Sequence, residues 1–292
     1  MSGGARRRWV RPGSLYLVAT PIGNRSDLSS RAAQVLAEVD VVVAEDTRVT
    51  GGLLKHLGIS VPMLSWHAHS RGERLDGIVQ RLLDGAAVAV VSDAGLPAVS
   101  DPGRELVEAA WRHHLPVSPI PGPSAGVAAF AASGFDLPWV QWGFLPARGR
   151  ERRTRLAEVL AAPGAQVLYE APHRVRTLLG ELVDAGAGAR TLVWVRELTK
   201  LHEEWFRGSV AEATAQLAGG PDPRGEWTLV LGPPPKAQAA PLRWGAAVAA
   251  VDRLVAEGTS GSEACRQVAA AGALPRRELY RRWHAEASRP RS

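Results

Sequence analysis

Short apolar runs separated by segments of helical periodicity constrain this chain more than any other feature. Leu15–Ala19, Val41–Ala44 and Ala87–Val91 are brief and almost wholly apolar, as strands buried on both faces are. Between them, Ser29–Val39, Thr47–Leu57 and Arg71–Leu83 carry helical spacing and helix-forming composition. A helix at Gly103–His113 and a strand at Val117–Ile120 follow. Alternation at this pitch predicts an α/β layer with a largely parallel sheet.

The Gly/Pro-punctuated segment Pro121–Phe135 interrupts the pattern, which then restarts. Strands are expected at Val140–Phe144, Gln166–Tyr169, Thr191–Val195, Glu204–Arg207 and Trp227–Leu231, and helices at Arg152–Leu160, Val175–Asp184 and Val210–Ala218. Neighbouring strands without an intervening helix predict a mixed sheet here. Two sheets joined near residue 122 leave a cleft between them, a usual place for a ligand. Gly232–Pro241 (GPPPKAQAAP) is a linker, because consecutive prolines remove donors and stiffen the chain. Beyond it lie helix candidates Trp244–Ala256, Ser262–Ala271 and Pro275–Ala285. Ser262 is placed to cap, Pro275 suits a first turn, and Ala271–Leu274 has the length of a helix-turn-helix connection. The domain order is then a disordered basic tail at 1–12, α/β domains at 13–121 and 122–232, a Pro-rich linker at 233–241, and a basic helical module at 242–292.

Charge is distributed to match. The net charge is +6, yet residues 1–12 hold four Arg and no acid, and 240–292 carry a net +4. The central body is near neutral, so both ends suit a polyanion. No apolar run approaches the roughly 20 residues of a membrane span, and no signal-peptide core follows the basic start. The single Cys265 excludes an internal disulfide framework and fits a reducing, cytoplasmic setting.

Loops after strands carry the chemistry-bearing residues, since ligands of parallel α/β sheets bind at the carboxyl ends of the strands. Asn24 follows the first strand, and Glu45, Asp46, Thr47 and Arg48 follow the second, where Asp46 or Thr47 could equally cap a helix. After Ala87–Val91 comes Ser92-Asp93-Ala94-Gly95-Leu96-Pro97-Ala98-Val99-Ser100-Asp101-Pro102-Gly103, small and stiff enough for close approach of backbone to ligand. Asp101 can be explained there as a cap for the next helix. Pro121–Gly126 joins the two halves, with Ser124 either a cap or a ligand contact. No Walker loop and no Gly-x-Gly-x-x-Gly occurs. His67 with His69, and His113-His114, lack metal-ligand spacing, so no metal is expected.

These loops, with Tyr169-Glu170-Ala171-Pro172-His173-Arg174, Arg196-Glu197-Leu198-Thr199-Lys200 and Gly225-Glu226-Trp227-Thr228-Leu229, resemble the tetrapyrrole-methylase superfamily. Within it the chain is most similar to the ribosomal RNA small subunit methyltransferase I family, the 16S rRNA cytidine 2′-O-methyltransferases. The likeness runs from about Gly13 to Leu231, and the tail resembles that family's small helical domain. It implies a fold of two α/β domains with a cofactor cleft between them. It also implies S-adenosylmethionine as donor, a homodimer, and methylation of a cytidine ribose in 16S rRNA of the 30S subunit. Carried over by position, the cofactor contacts are Ser92, Asp93, Ala94, Gly95, Pro97, Ser124, Ala125, Tyr169, Leu198, Thr199, Gly225 and Glu226.

Methyl transfer from a sulfonium needs in-line positioning and, for a ribose hydroxyl, removal of a proton. Asp46, Glu170, Glu197 and Lys200 are the candidate bases, each with an ion-pair alternative. Arg48 and Arg174 are candidates to orient phosphate. Arg148–Arg155 (RGRERRTR) holds five Arg in eight residues, of which Arg148, Arg150, Arg152 and Arg153 are candidate RNA contacts. Arg277 and Arg281 share a face of the last helix, apart from Leu279 and Trp283. Two rivals stand beside this expectation: a same-fold methyltransferase of a tetrapyrrole or a protein, and a non-catalytic nucleic-acid binder.

Overall fold

The computed structural model describes residues 9–66, 72–220, 223–234, 244–271 and 274–287. His67, His69, Arg71, the start of the basic tail and most of the Pro-rich linker lie outside them. The chain forms two compact units, Met1–Gly232 and Pro233–Ser292. Both sheets belong to the first.

The first sheet is parallel, in the order β3-β2-β4-β1-β5, from β1 (Leu15–Val18), β2 (Val41–Ala44), β3 (Met63–Ser65), β4 (Val88–Val91) and β5 (Val117–Ile120). Strand alternation sends Tyr16, Val18, Val42, Ala44, Ala89 and Val91 to one face and Leu15, Val41, Val43, Val88 and Val90 to the other. Helices cover both faces, which is why β2 and β4 are buried at every position. On one side α1 (Ser30–Glu38) packs Ala32, Val35 and Leu36 at helical spacing, its first turn held by Ser29 accepting from the Ala32 amide. On the other, α3 (Glu73–Leu83) and α4 (Arg104–Arg112) contribute Ile78, Leu82, Leu106 and Ala110. Between β2 and β3 runs α2 (Thr47–His56).

The second sheet is mixed, in the order β6-β7-β10-β8-β9: β6 (Trp139–Phe144) and β7 (Ala165–Glu170) are parallel, while β8 (Thr191–Arg196), β9 (Glu204–Ser209) and β10 (Trp227–Leu231) pair antiparallel. On one face α6 (Gly149–Ala161), α7 (Val175–Leu182) and α8 (Val210–Ala218) pack against Leu168, Trp194, Trp227 and Leu229. The opposite face receives α5 (Ala125–Ser133), through Ala129 and Phe130, over Val167, Val193, Val195 and Val230.

Residues 9–12 depart from the disordered tail expected at 1–12. Val10 is buried with the first core, Trp9 donates its amide to Glu38, and the Arg11 amide donates to the Tyr16 hydroxyl.

The second unit holds α9 (Trp244–Ala256), α10 (Gly261–Ala271) and α11 (Arg276–Ala287) around Val248, Val251, Cys265, Val268 and Leu279. Its caps differ from expectation. Ser260, not Ser262, accepts from the Glu263 amide, and Ser262 accepts from Arg276 instead. Pro275 precedes the helix, its carbonyl taking the Leu279 amide.

Candidate functional site

Three loops at the carboxyl ends of first-sheet strands are tied to one another. Thr20 and Gly95 exchange backbone hydrogen bonds, and the Thr20 hydroxyl donates 3.0 Å to the Ser92 carbonyl. The Asp46 amide donates to Asp93 Oδ1 at 3.1 Å, and the Asp93 amide donates to Glu45 at 3.4 Å. Opposite them stand the ends of β7 and β8 and the start of β10. The halves meet at Gly23, where a Cβ would lie 2.5 Å from Lys200 Cγ and 2.7 Å from Thr199 Oγ1. Only glycine lets these backbones close, and Thr199 Oγ1 accepts from the Asn24 amide beside it. Glu197 and Thr199 hold this second-sheet loop at φ of 54° and 67°, left-handed values unusual for residues with side chains. A second close approach places Gly126 against Gln141 and Tyr169, whose hydroxyl accepts from the Gly126 amide and the Gln141 side chain.

Between these contacts lies a cavity of about 440 Å³. Of the predicted cofactor contacts, Asp93, Ala94, Gly95, Ser124, Ala125, Tyr169, Leu198 and Glu226 line it. Ser92, Pro97, Thr199 and Gly225 do not. Ser92 is buried behind the loop, donating to the Ala94 and Gly95 carbonyls, and Pro97 is buried as well. Thr199 joins the Gly23 contact, and Gly225 backs onto Glu197. Ser124 stands at the head of α5 but makes no capping bond.

Sequence reasoning passed over Asp101 as a cap. The cap of α4 is Gly103, and Asp101 lines the cavity with Glu45 and Asp93. Burial, then the Glu45 carboxylate, push Asp101 up to about 6, with Asp93 adding to the rise and Ser92 opposing it. Cavity contacts from Ile22, Phe144 and Thr228 were also missed. Asp101 was legible, as the second Ser-Asp pair in one loop; Ile22 and Phe144 carry no signal apart from their position at strand ends.

Electrostatics reassign the four candidate bases. Asp46 caps α2 and is held down at about 2 by its side-chain bonds from Arg48, so it is a poor proton acceptor at neutral pH. Glu170 is shut away from solvent, bonded to Arg152 at 3.2 Å and Arg174 at 2.6 Å. Lys200 lies 2.8 Å from Glu197, which it holds below the usual carboxylate range. Burial pulls Lys200 down, but Glu197 and Glu226 outweigh it and keep the ammonium above its usual value.

The same geometry corrects Arg152 as an RNA contact. Its side chain is 4% exposed and bridges Glu170 and Glu181. Arg148, Arg150 and Arg153 are exposed around the start of α6. Arg174 is committed to Glu170, whereas the Arg48 side chain is 89% exposed even while paired with Asp46. Arg277 and Arg281 are exposed on α11, Arg281 paired with Glu278, while Leu279 and Trp283 pack inward. Among the described residues no His/Cys/Asp/Glu group has a metal-holding arrangement, and no helix is long and apolar enough to cross a membrane.

Residues 14–214 match the family model of the Tetrapyrrole (Corrin/Porphyrin) Methylases. A Synechocystis protein named ribosomal RNA small subunit methyltransferase I is 40% identical over 92% of this chain and 96% of its own. A namesake from Xylella fastidiosa is 42% identical over 92% and 98%. Among solved structures, cobalt precorrin-4 methyltransferase shares the fold with a TM-score of 0.53 and 19% identity, over 75% of this chain and 95% of that one. Thermus thermophilus uroporphyrin-III C-methyl transferase, solved with S-adenyl homocysteine, gives 0.54 and 18% over 74% and 96%.

Proposed function

The chain belongs to the ribosomal RNA small subunit methyltransferase I family, within the tetrapyrrole methylases, and from that membership we propose that it transfers a methyl group from S-adenosylmethionine to a cytidine ribose 2′-hydroxyl of 16S rRNA in the 30S subunit. The observation that carries the donor assignment is the acidic wall of the cavity. Glu45, Asp93 and Asp101 face a space within the usual size of a small-molecule site, and three carboxylates suit a ligand bearing a sulfonium and an ammonium. Tyr169, Phe144 and Leu198 supply the apolar surface that a purine needs.

When bound, this donor supplies a methyl group already activated by its sulfonium. The residues here then hold and orient: Asp93 is fixed by the Asp46 amide, and Tyr169 by Gly126 and Gln141. Because Asp46, Glu170, Glu197 and Lys200 are committed to ion pairs, catalysis rests mainly on positioning. Arg48, Arg148, Arg150 and Arg153 of the first unit, and Arg277 and Arg281 of the second, are the proposed phosphate contacts.

The tetrapyrrole alternative is weaker, since the precorrin and uroporphyrin enzymes share 18–22% identity against about 40% for the rRNA methyltransferases. The family resemblance also implies a cytoplasmic homodimer, which sedimentation would reveal as one species at twice 31.1 kDa. The decisive experiment is calorimetric titration with S-adenosylmethionine, followed by transfer of its labelled methyl to unmodified 30S subunits. Donor binding without incorporation into 16S rRNA would overturn the substrate assignment, and no donor binding would overturn the activity.

A further inference from the structure

A second cavity, of about 460 Å³, opens beside the first and shares Ile22, Asp93, Ala94 and Glu226 with it. The two spaces adjoin at these four residues, so ligands in them stand side by side. Their chemistry differs. Beyond the shared Asp93 and Glu226, the first is faced by Glu45 and Asp101, whereas the second is edged by Arg25, Arg48 and Lys200. Arg25 is exposed and has no ion-pair partner among the described residues. Asp46 takes Nε and Nη2 of Arg48, and the rest of that guanidinium faces solvent. Between these cations, Val49 and Leu53 lie four residues apart on α2 and form an apolar wall with Pro21 and Ile22. Val49 is 49% exposed, a large aliphatic group with one side uncovered.

Cations around an apolar wall are what a nucleotide requires: charge for its phosphates and a nonpolar face for its base. We propose that this second cavity receives one ribonucleotide of the RNA, turned out of its strand, with its base against Val49 and Leu53 and its flanking phosphates on Arg25 and Arg48. The sugar then faces the edge at Ile22 and Ala94 that the two cavities share, turned toward the donor. Extrusion is the usual solution where chemistry must reach a nucleotide inside folded nucleic acid. This assignment rests on the proposed activity and adds to it the place of the substrate. It also gives Lys200 a positioning role, as the cation that both sheets bring to the rim.

The test uses the full chain, unmodified 30S subunits and S-adenosylmethionine, comparing Arg25→Glu and Val49→Trp with Arg112→Glu, an exposed α4 position remote from both cavities. All three should bind the donor as the parent does. Arg25→Glu should weaken 30S binding by about tenfold at moderate salt and reduce the salt slope by about one. Val49→Trp should raise KM for 30S by filling the space, with the donor affinity unchanged. Arg112→Glu should do neither, which separates a local contact from a change in net charge. Parent-like 30S binding and KM in both cavity variants would overturn the nucleotide site while leaving the methyltransferase intact. Failure of the parent to bind donor or to methylate 30S would instead remove the activity on which the proposal stands.

Discussion

At the residue scale, Asp101 and Arg152 show how far a side chain's surroundings can depart from its sequence context. Asp101 sits in a Pro-rich turn that explains it adequately as a cap, yet its carboxyl is half-buried against two others. Its folded value of about 6 lies above the ordinary 3.8, so the folded state holds a proton that the unfolded chain has lost. Stability therefore falls as pH rises from about 4 to 6, and the penalty is complete above that window. Asp101→Asn should stabilise the ligand-free protein at pH 7 by about 1 kcal/mol, after allowance for solvent screening, and by nothing near pH 4. It should also weaken donor binding. Urea midpoints at the two pH values check the first claim, and an unchanged midpoint at pH 7 would refute it. Arg152 lies in a run of arginines that reads as surface, but one of them turns inward to the Glu170 and Glu181 carboxylates. Composition could not reveal which. Arg152→Ala should cost roughly 3–5 kcal/mol by stranding buried charge, whereas exposed Arg153→Ala should stay within about 0.5 kcal/mol. Equal melting temperatures would put Arg152 back on the surface.

At the scale of elements, periodicity served well wherever burial imposed it. The strands Val41–Ala44 and Trp227–Leu231 fall at the predicted bounds because both are buried at every position, and the edge strand Val117–Ile120 does so although only Ile120 is buried. Two elements were faint for physical reasons, α5 being signalled only by Ser124 as a possible cap. The strand β3 is short and only partly buried, so it carries no apolar run. The helix α5 is Ala-Gly-Val-Ala-Ala-Phe-Ala-Ala-Ser, small and apolar on every side, and has no stripe to detect. The last helix was better marked, since Leu279 and Trp283 share one face and Arg277 and Arg281 another. Arg281 is already engaged with Glu278, so Arg277 is the freer phosphate contact. Arg277→Ala should therefore lower 30S affinity and reduce the salt slope by about one, with Arg281→Ala doing less. Deleting 240–292 should remove the whole tail contribution without changing donor affinity. An identical salt slope after that deletion would assign the tail to stability or dimerisation.

At the scale of the whole molecule, a cleft between two sheets was legible in the sequence, but not the contacts at which they meet. Strand-end loops announced a site, but their partners are distant in the chain, as Asn24 and Thr199 are at 175 residues apart. Gly23 is where that meeting is tightest. Gly23→Ala should cost about 1–3 kcal/mol by overpacking against Thr199 and Lys200. It should also weaken donor binding, because the same contact borders both cavities; parent-like stability and affinity would show that the loops shift freely. The position of β10 has a different consequence, one of timing. It is the middle strand of its sheet and the last strand of its unit to be made, so β7 and β8 have nothing between them until Leu231 emerges. Pairing of strands this far apart in sequence takes milliseconds to seconds. The sheet therefore stays open along its middle until its last strand is made, and closure of this unit waits on residues 227–231.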